Sequence, residues 1–286
     1  MRYRFLRYPG GKTKAVTLSY DDGSKFDIRL CEILNRYGIK CTFNICSGFM
    51  SDTDEYYMSV DEIKKHILAQ GHEVAVHGKY HKAPGKTAPC EFIRDVLECR
   101  AELENSLGTL VRGMAYPDSG IEETLPGINE ENIKHTLSDL GIAYARSGRE
   151  NPNFELPQDL YDWRPGAHHA SPALFGMIER FNDCDVNSLY MANRTPKLLY
   201  IWGHSSEFDR NSNWDLFEII CQAVSHKPDT WYATAIEICD YITAYNRLVY
   251  SADAKTVYNP TATTLFFETD RAPYSIAPGE TITVYE

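Results

Sequence analysis

A chain of 286 residues can bury a large core and lies near the size at which one core stops growing, so one large domain plus a small appendage is expected. The formal net charge of −11 and the absence of a Lys/Arg-rich stretch exclude nucleic acid as a partner, because binding to a phosphate backbone depends on clustered cations. No stretch approaches the ~20 apolar residues needed to cross a bilayer, and the basic segment 1–9 is not followed by a signal-length apolar run. The expectation is a cytoplasmic protein without a membrane partner, although a chain trimmed of its signal would read the same. The eight cysteines form no CxxC pair and several sit in apolar surroundings, so free thiols are expected rather than a disulfide framework.

In chain order, a short apolar run predicts a strand at 15–20, followed by a helix at 26–37, a strand at 40–45, a helix at 60–70 and a strand at 73–76. A helix at 91–107, a strand at 111–115, a helix at 133–140 and a strand at 142–145 come next. Gly38, Gly71, Gly108 and Gly141 follow four of these helices directly, where a left-handed residue commonly closes the turn. Residues 148–171, with three prolines and the pair His168-His169, read as a long ordered loop, and loops of that length are often functional. Beyond it lie a helix at 172–181, a strand at 197–202, a helix at 214–225, a strand at 230–233 and a helix at 236–245. About seven parallel strands with crossover helices predict an α/β fold, a closed or nearly closed barrel over 1–247. Residues 248–286 read as a small all-β extension, with a separate sugar-binding module as the alternative.

The strand at 15–20 runs into Asp21-Asp22-Gly23. Adjacent side chains on a strand point apart, but a turn at Gly23 lets both carboxylates show at the strand's carboxyl end, where parallel α/β proteins place their sites. A plain strand-to-helix turn with an aspartate cap is the competing reading. His77 and His81 follow the strand at 73–76 at the same rim. Two imidazoles and a carboxylate form the open set of a catalytic metal, with positions left for water and substrate. His204, ending Leu198-Leu199-Tyr200-Ile201-Trp202-Gly203-His204, is a third ligand, an acid or a packed side chain. His66, His72, His135 and His226 lie in or beside helical patterns and are expected at the surface.

In this order the motifs Thr17-Leu18-Ser19-Tyr20-Asp21-Asp22-Gly23, His77-Gly78-Lys79-Tyr80-His81 and Leu199–His204 resemble the polysaccharide deacetylase family, the NodB-homology domain of carbohydrate esterase family four. The resemblance covers roughly 10–245. It implies a distorted (β/α) barrel, one divalent metal held by Asp22, His77 and His81, Asp21 as general base and His204 as general acid, and a carbohydrate substrate that loses an acetyl group. Zinc suits this ligand set best, with nickel, cobalt or iron able to take the same geometry. Oligomeric state is open.

Two departures stand out. Ala115 occupies the place of the family's base-tethering arginine; Arg146, at the end of the next strand, is the substitute expected at the same rim, with Arg112 as a weaker candidate. Aligning Pro117 with the family's proline gives the Asp118 N–H the oxyanion role and puts Tyr116 beside it at the substrate. Gly78 replaces a hydroxyl residue that steadies the loop. In the long loop Trp163 is a candidate sugar-stacking surface, or alternatively a packing residue, and His168 or His169 a hydrogen-bond partner for sugar hydroxyls. Two other functions stay open: a same-fold hydrolase of O-acetyl xylan or a small amide, and a non-catalytic sugar-binding protein.

Overall fold

The computed structural model describes residues 2–284. Its central sheet draws on β2 (Lys14–Asp22), β3 (Cys41–Ile45), β4 (Glu73–Val76), β5 (Gly113–Ala115), β6 (Tyr144–Arg146), β7 (Ala167–His168), β8 (Lys197–Gly203) and β9 (Thr230–Tyr232), numbered after an N-terminal β1 (Arg4–Arg7). Seven of them run in the order β6-β5-β4-β3-β2-β8-β7, and β9 pairs with β2. All these pairings are parallel. Strand β2 is central because it is long and, over residues 14–21, buried on both sides of the sheet. Residues 14–20 pair with β8, while its other edge is shared by β9 over 14–16 and β3 over 18–22. The curled sheet is the distorted barrel expected from the sequence. Strand β7 was hidden there because its two residues lie within the long loop.

The gap between the end strands β6 and β7 is bridged by that loop. Trp163 N–H donates to Ala145 and Ser147 N–H to Trp163, at 3.0 and 3.1 Å, and Gly166 N–H donates to the Tyr200 carbonyl at 2.7 Å. Inside the barrel Trp163 meets Tyr144 and Tyr200 edge-on at 5.2 and 5.3 Å. It is 1% exposed, so it closes the core and offers no face to a sugar. The stacking role expected for it is therefore corrected.

Helices α1 (Phe26–Tyr37), α2 (Val60–His66), α3 (Pro89–Leu107), α4 (Glu130–Asp139), α5 (Leu174–Asp183), α6 (Ser205–Arg210), α7 (Trp214–Val224) and α8 (Ala235–Asn246) surround the sheet. Gly38 and Gly108 close α1 and α3 in the left-handed region, at φ of 64° and 73°. Ser59 with Glu62, and Thr234 with Glu237, form capping boxes that start α2 and α8. Helix α6 is too short to show a period in the sequence. His72, expected at the surface, is buried with Nδ1 accepting the Cys41 N–H at 3.2 Å.

After α8 come β10 (Val249–Tyr250), β11 (Thr256–Tyr258), β12 (Leu265–Thr269), β13 (Ala272–Ile276) and β14 (Thr281–Thr283). They form two antiparallel sheets, β10-β11-β14 and β1-β12-β13. Residues 4–7, at the far end of the sequence, thus pair with 266–269. The extension has no core of its own: Val257, Leu265, Phe267 and Ile276 pack in one cluster with Tyr8, Leu198, Ile238 and Tyr241.

No helix among the described residues is long and apolar enough to cross a membrane. All eight cysteines are free.

Candidate active site

Register decides which side chains share the barrel's interior. Asp21 pairs with Asn44, Ser19 with Trp202, and Ala115 with Arg146. Because side chains alternate, Ser19 and Asp21 lie on one face of β2 together with Asn44 and Trp202. Asp22 then breaks the alternation. Its φ of 81° and the 73° of Gly23 turn the chain, so its carboxylate joins that of Asp21 at the rim. Neither aspartate caps α1, whose N-cap is Lys25, so the competing reading of a capping turn does not describe this segment. His81 and Asp118 also have positive φ, 55° and 53°. Strained backbone of this kind persists where surrounding structure imposes it, typically at functional sites.

Asp22 Oδ1 lies 3.6 Å from His77 Nε2 and 3.5 Å from His81 Nε2. Ligands bound at ~2.0–2.1 Å around a tetrahedral ion sit ~3.4 Å apart, so this spacing fits a divalent cation. The tautomer fits as well. His77 Nδ1 is 2.9 Å from the Ala115 carbonyl, which accepts its proton and leaves the Nε2 lone pair for a metal.

The loop carrying both histidines is steadied by Asp95 of α3, which accepts the Lys79 and Tyr80 N–H groups at 3.0 Å each. Gly78 is required there. Its φ is +71°, and a Cβ would come within 2.5 Å of Asp95 Oδ2. The steadying contact that a Ser or Thr makes in the family is supplied here by a carboxylate from the neighbouring helix.

Asp21 is 3% exposed and held at both oxygens: Arg146 Nη2 donates to Oδ2 at 2.5 Å and Asn44 Nδ2 to Oδ1 at 2.8 Å. Burial favours its neutral form, but Arg146, His77 and His204 outweigh burial and hold its pKa below the usual carboxylate value. Arg112 instead pairs with Asp240 at 2.6 Å on the exterior.

His204 lies at the end of β8, with Nδ1 3.4 Å from Glu207 Oε1. Burial disfavours its imidazolium, yet Glu207, Asp21 and Asp22 prevail and push its pKa up to about 9. His169 Nε2 and His168 Nε2 approach the other Glu207 oxygen at 3.0 and 3.3 Å. His168, His204 and Glu207 have the spacing of a second metal group. Proton placement argues otherwise. His168 Nδ1 accepts the Ala170 N–H at 3.2 Å, so its proton sits on Nε2 and points at Glu207. The cluster is a carboxylate surrounded by imidazole donors, and burial, which works against its charge, is overcome by His169, His204 and His168, which hold the Glu207 pKa low.

Other expected contacts fall away from the rim. Tyr116 is buried, its hydroxyl donating to the Tyr161 carbonyl at 2.8 Å. His169 is 3% exposed beneath Glu207, against Gly203, where a Cβ would come within 2.0 Å of its ring. Substrate contact through either side chain is corrected to a supporting role. Asp118 is exposed, and its N–H has no hydrogen-bond partner among the described residues. Asn44, Asp95, Trp202 and Glu207 were not read from the sequence. An Asn inside an apolar strand and a Glu three residues after His204 were the available signals for two of them.

Residues 3–137 match the sequence profile of the polysaccharide deacetylases. Those residues belong to the polysaccharide deacetylase family. Among solved structures, the Puue allantoinase is 13% identical over 82% of this chain and 91% of its own, with TM-score 0.57. A candidate polysaccharide deacetylase from Mycobacterium smegmatis is 17% identical over 86% of this chain and 96% of its own, with TM-score 0.55. At such identities the likeness shows the shared fold. The Streptococcus pyogenes deacetylase PplD is 16% identical with TM-score 0.42 over 46% of this chain; the chain spans about half that relative, 55%.

Proposed function

We propose that this chain is a metal-dependent hydrolase that removes an acetyl group, N-linked by preference, from a carbohydrate. The observation that carries this reading is the convergence, at one strand-end rim, of a ligand triad (Asp22, His77, His81), a tethered buried carboxylate (Asp21) and an imidazolium (His204). A binding protein has no need of all three.

When bound by the triad, a divalent cation, with zinc the first candidate, acidifies water and stabilises a developing oxyanion. Asp21, fixed by Arg146 and Asn44, accepts the proton of the attacking water. The Asp118 N–H adds a donor for the oxyanion, and losing one such donor typically costs ~3–4 kcal/mol of barrier. His204, charged below about pH 9, delivers its proton to the leaving nitrogen, which is otherwise a poor leaving group. Glu207 keeps the donating ring oriented from behind.

The test combines metal analysis with acetate release. Asp22→Ala, His77→Ala and His81→Ala are expected to lose zinc, whereas Asp21→Asn keeps it and loses turnover by at least ~100-fold. Full zinc occupancy in all three ligand variants would remove the assignment. A second reading, hydrolysis of a small non-sugar amide, is favoured by the burial of Trp163, Tyr116 and His169, which removes three expected sugar contacts. Assays on acetylated chitooligosaccharide, acetyl xylan and small cyclic and linear amides separate the two.

A further inference from the structure

Arg146 reaches Asp21 from the end strand β6 across the curled sheet, and its one hydrogen bond does not explain how it stays there. The side chain is 2% exposed. Among the described residues its guanidinium makes one hydrogen bond, to Asp21, and Nε is buried without a partner. A guanidinium fixed at one nitrogen can still rotate about that bond. What covers it is the indole of Trp202, with the guanidinium carbon 4.6 Å from the ring centroid.

Trp202 is well placed for this. Its register partner Ser19 shares the inner face of β2 with Asp21. His168 packs edge-on against the indole at 4.8 Å, and Nε1 donates to Glu150 at 3.4 Å. Ala115 lies beside Arg146 in register and adds only a methyl group there.

We infer that Trp202 is a positioning residue: its indole face and the Asp21 carboxylate together form a guanidinium seat, and Arg146 is held to the base by that face. Its consequence for turnover rests on the proposed role of Asp21 as base; the seat itself does not. A desolvated contact of this kind corresponds to about 30-fold, ~2 kcal/mol at 1.36 kcal/mol per tenfold.

The decisive experiment adds free guanidinium to the zinc-loaded protein. Arg146→Ala empties the seat, and calorimetry is expected to detect guanidinium binding at millimolar concentrations. Adding Trp202→Leu to that variant should weaken binding about 30-fold, and adding Trp202→Phe, which keeps an aromatic face, should weaken it less. Equal affinity with and without the aromatic face, or no binding to Arg146→Ala, overturns the seat. In acetate release from an acetylated chitooligosaccharide, guanidinium should rescue kcat of Arg146→Ala but not of the double variant with Trp202→Leu, leaving KM largely unmoved. An undiminished rate in Arg146→Ala, with the binding pattern intact, would instead refute the base-tether reading and leave the seat standing.

Discussion

Glu207 governs when the proposed acid is charged. The low pKa of its carboxylate and the raised one of His204 are two sides of the same attraction, with Asp21 and Asp22 adding to the second. With the protonated ring as the proposed proton donor, kcat should hold below, and fall as pH rises through, about 9. Glu207→Gln keeps the shape and removes one anion, so the basic limb should move down toward the ordinary imidazole value of ~6.5. A pH profile of kcat for both forms checks this, and a limb that does not move would show that Glu207 has no hold on His204. The sequence made His204 visible because a histidine at the end of an apolar strand is conspicuous. Glu207 was not visible, because its importance depends on α6 turning it back under the ring.

At the scale of elements, the 77–81 loop, which carries two of the proposed metal ligands, shows how a departure from the family pattern is accommodated. Gly78 looked like a loss of rigidity, but it leaves room for Asp95 to accept two backbone N–H groups from the loop. Gly78→Ser, although it restores the family's hydroxyl, should therefore weaken zinc retention about 10–100-fold, the usual cost of disturbing support behind a ligand. Competition with a chromogenic chelator measures it; unchanged retention would show that the loop does not need the Asp95 clamp. Strands and helices were legible within a few residues wherever an apolar run or a 3.6-residue period was long enough. Strand β7 and helix α6 escaped because they are short. Asp95 and Trp202 escaped for a different reason: each acts across the fold, and only register or helix packing brings it to its partner.

On the scale of the whole molecule, the C-terminal sheets are joined to the barrel by one shared cluster, by the buried Arg194–Glu268 ion pair at 2.5 Å and by the Tyr241 hydroxyl. Tyr241 donates to the Arg7 carbonyl at 2.8 Å and accepts the Phe266 N–H at 2.9 Å. Val257, Leu265, Phe267, Ile276 and Val284 are fully buried in that cluster. At ~1.5–3 kcal/mol each, their burial approaches the ~5–15 kcal/mol by which domains of this kind are stable. A chain ending at residue 247 should be insoluble or should melt far below the full chain in a thermal scan. Melting within a few degrees of the full chain would show that the barrel is self-sufficient.

The pairing of residues 4–7 with 266–269 also sets a schedule. On the ribosome, synthesis proceeds at roughly 5–20 residues per second, so the first strand waits on the order of ten seconds or more for its partner to be made. During that interval the barrel strands can assemble while the N-terminal segment remains an open edge. Its closing is a late event that waits on the making of residues 266–269 and comes after the barrel strands have left the ribosome.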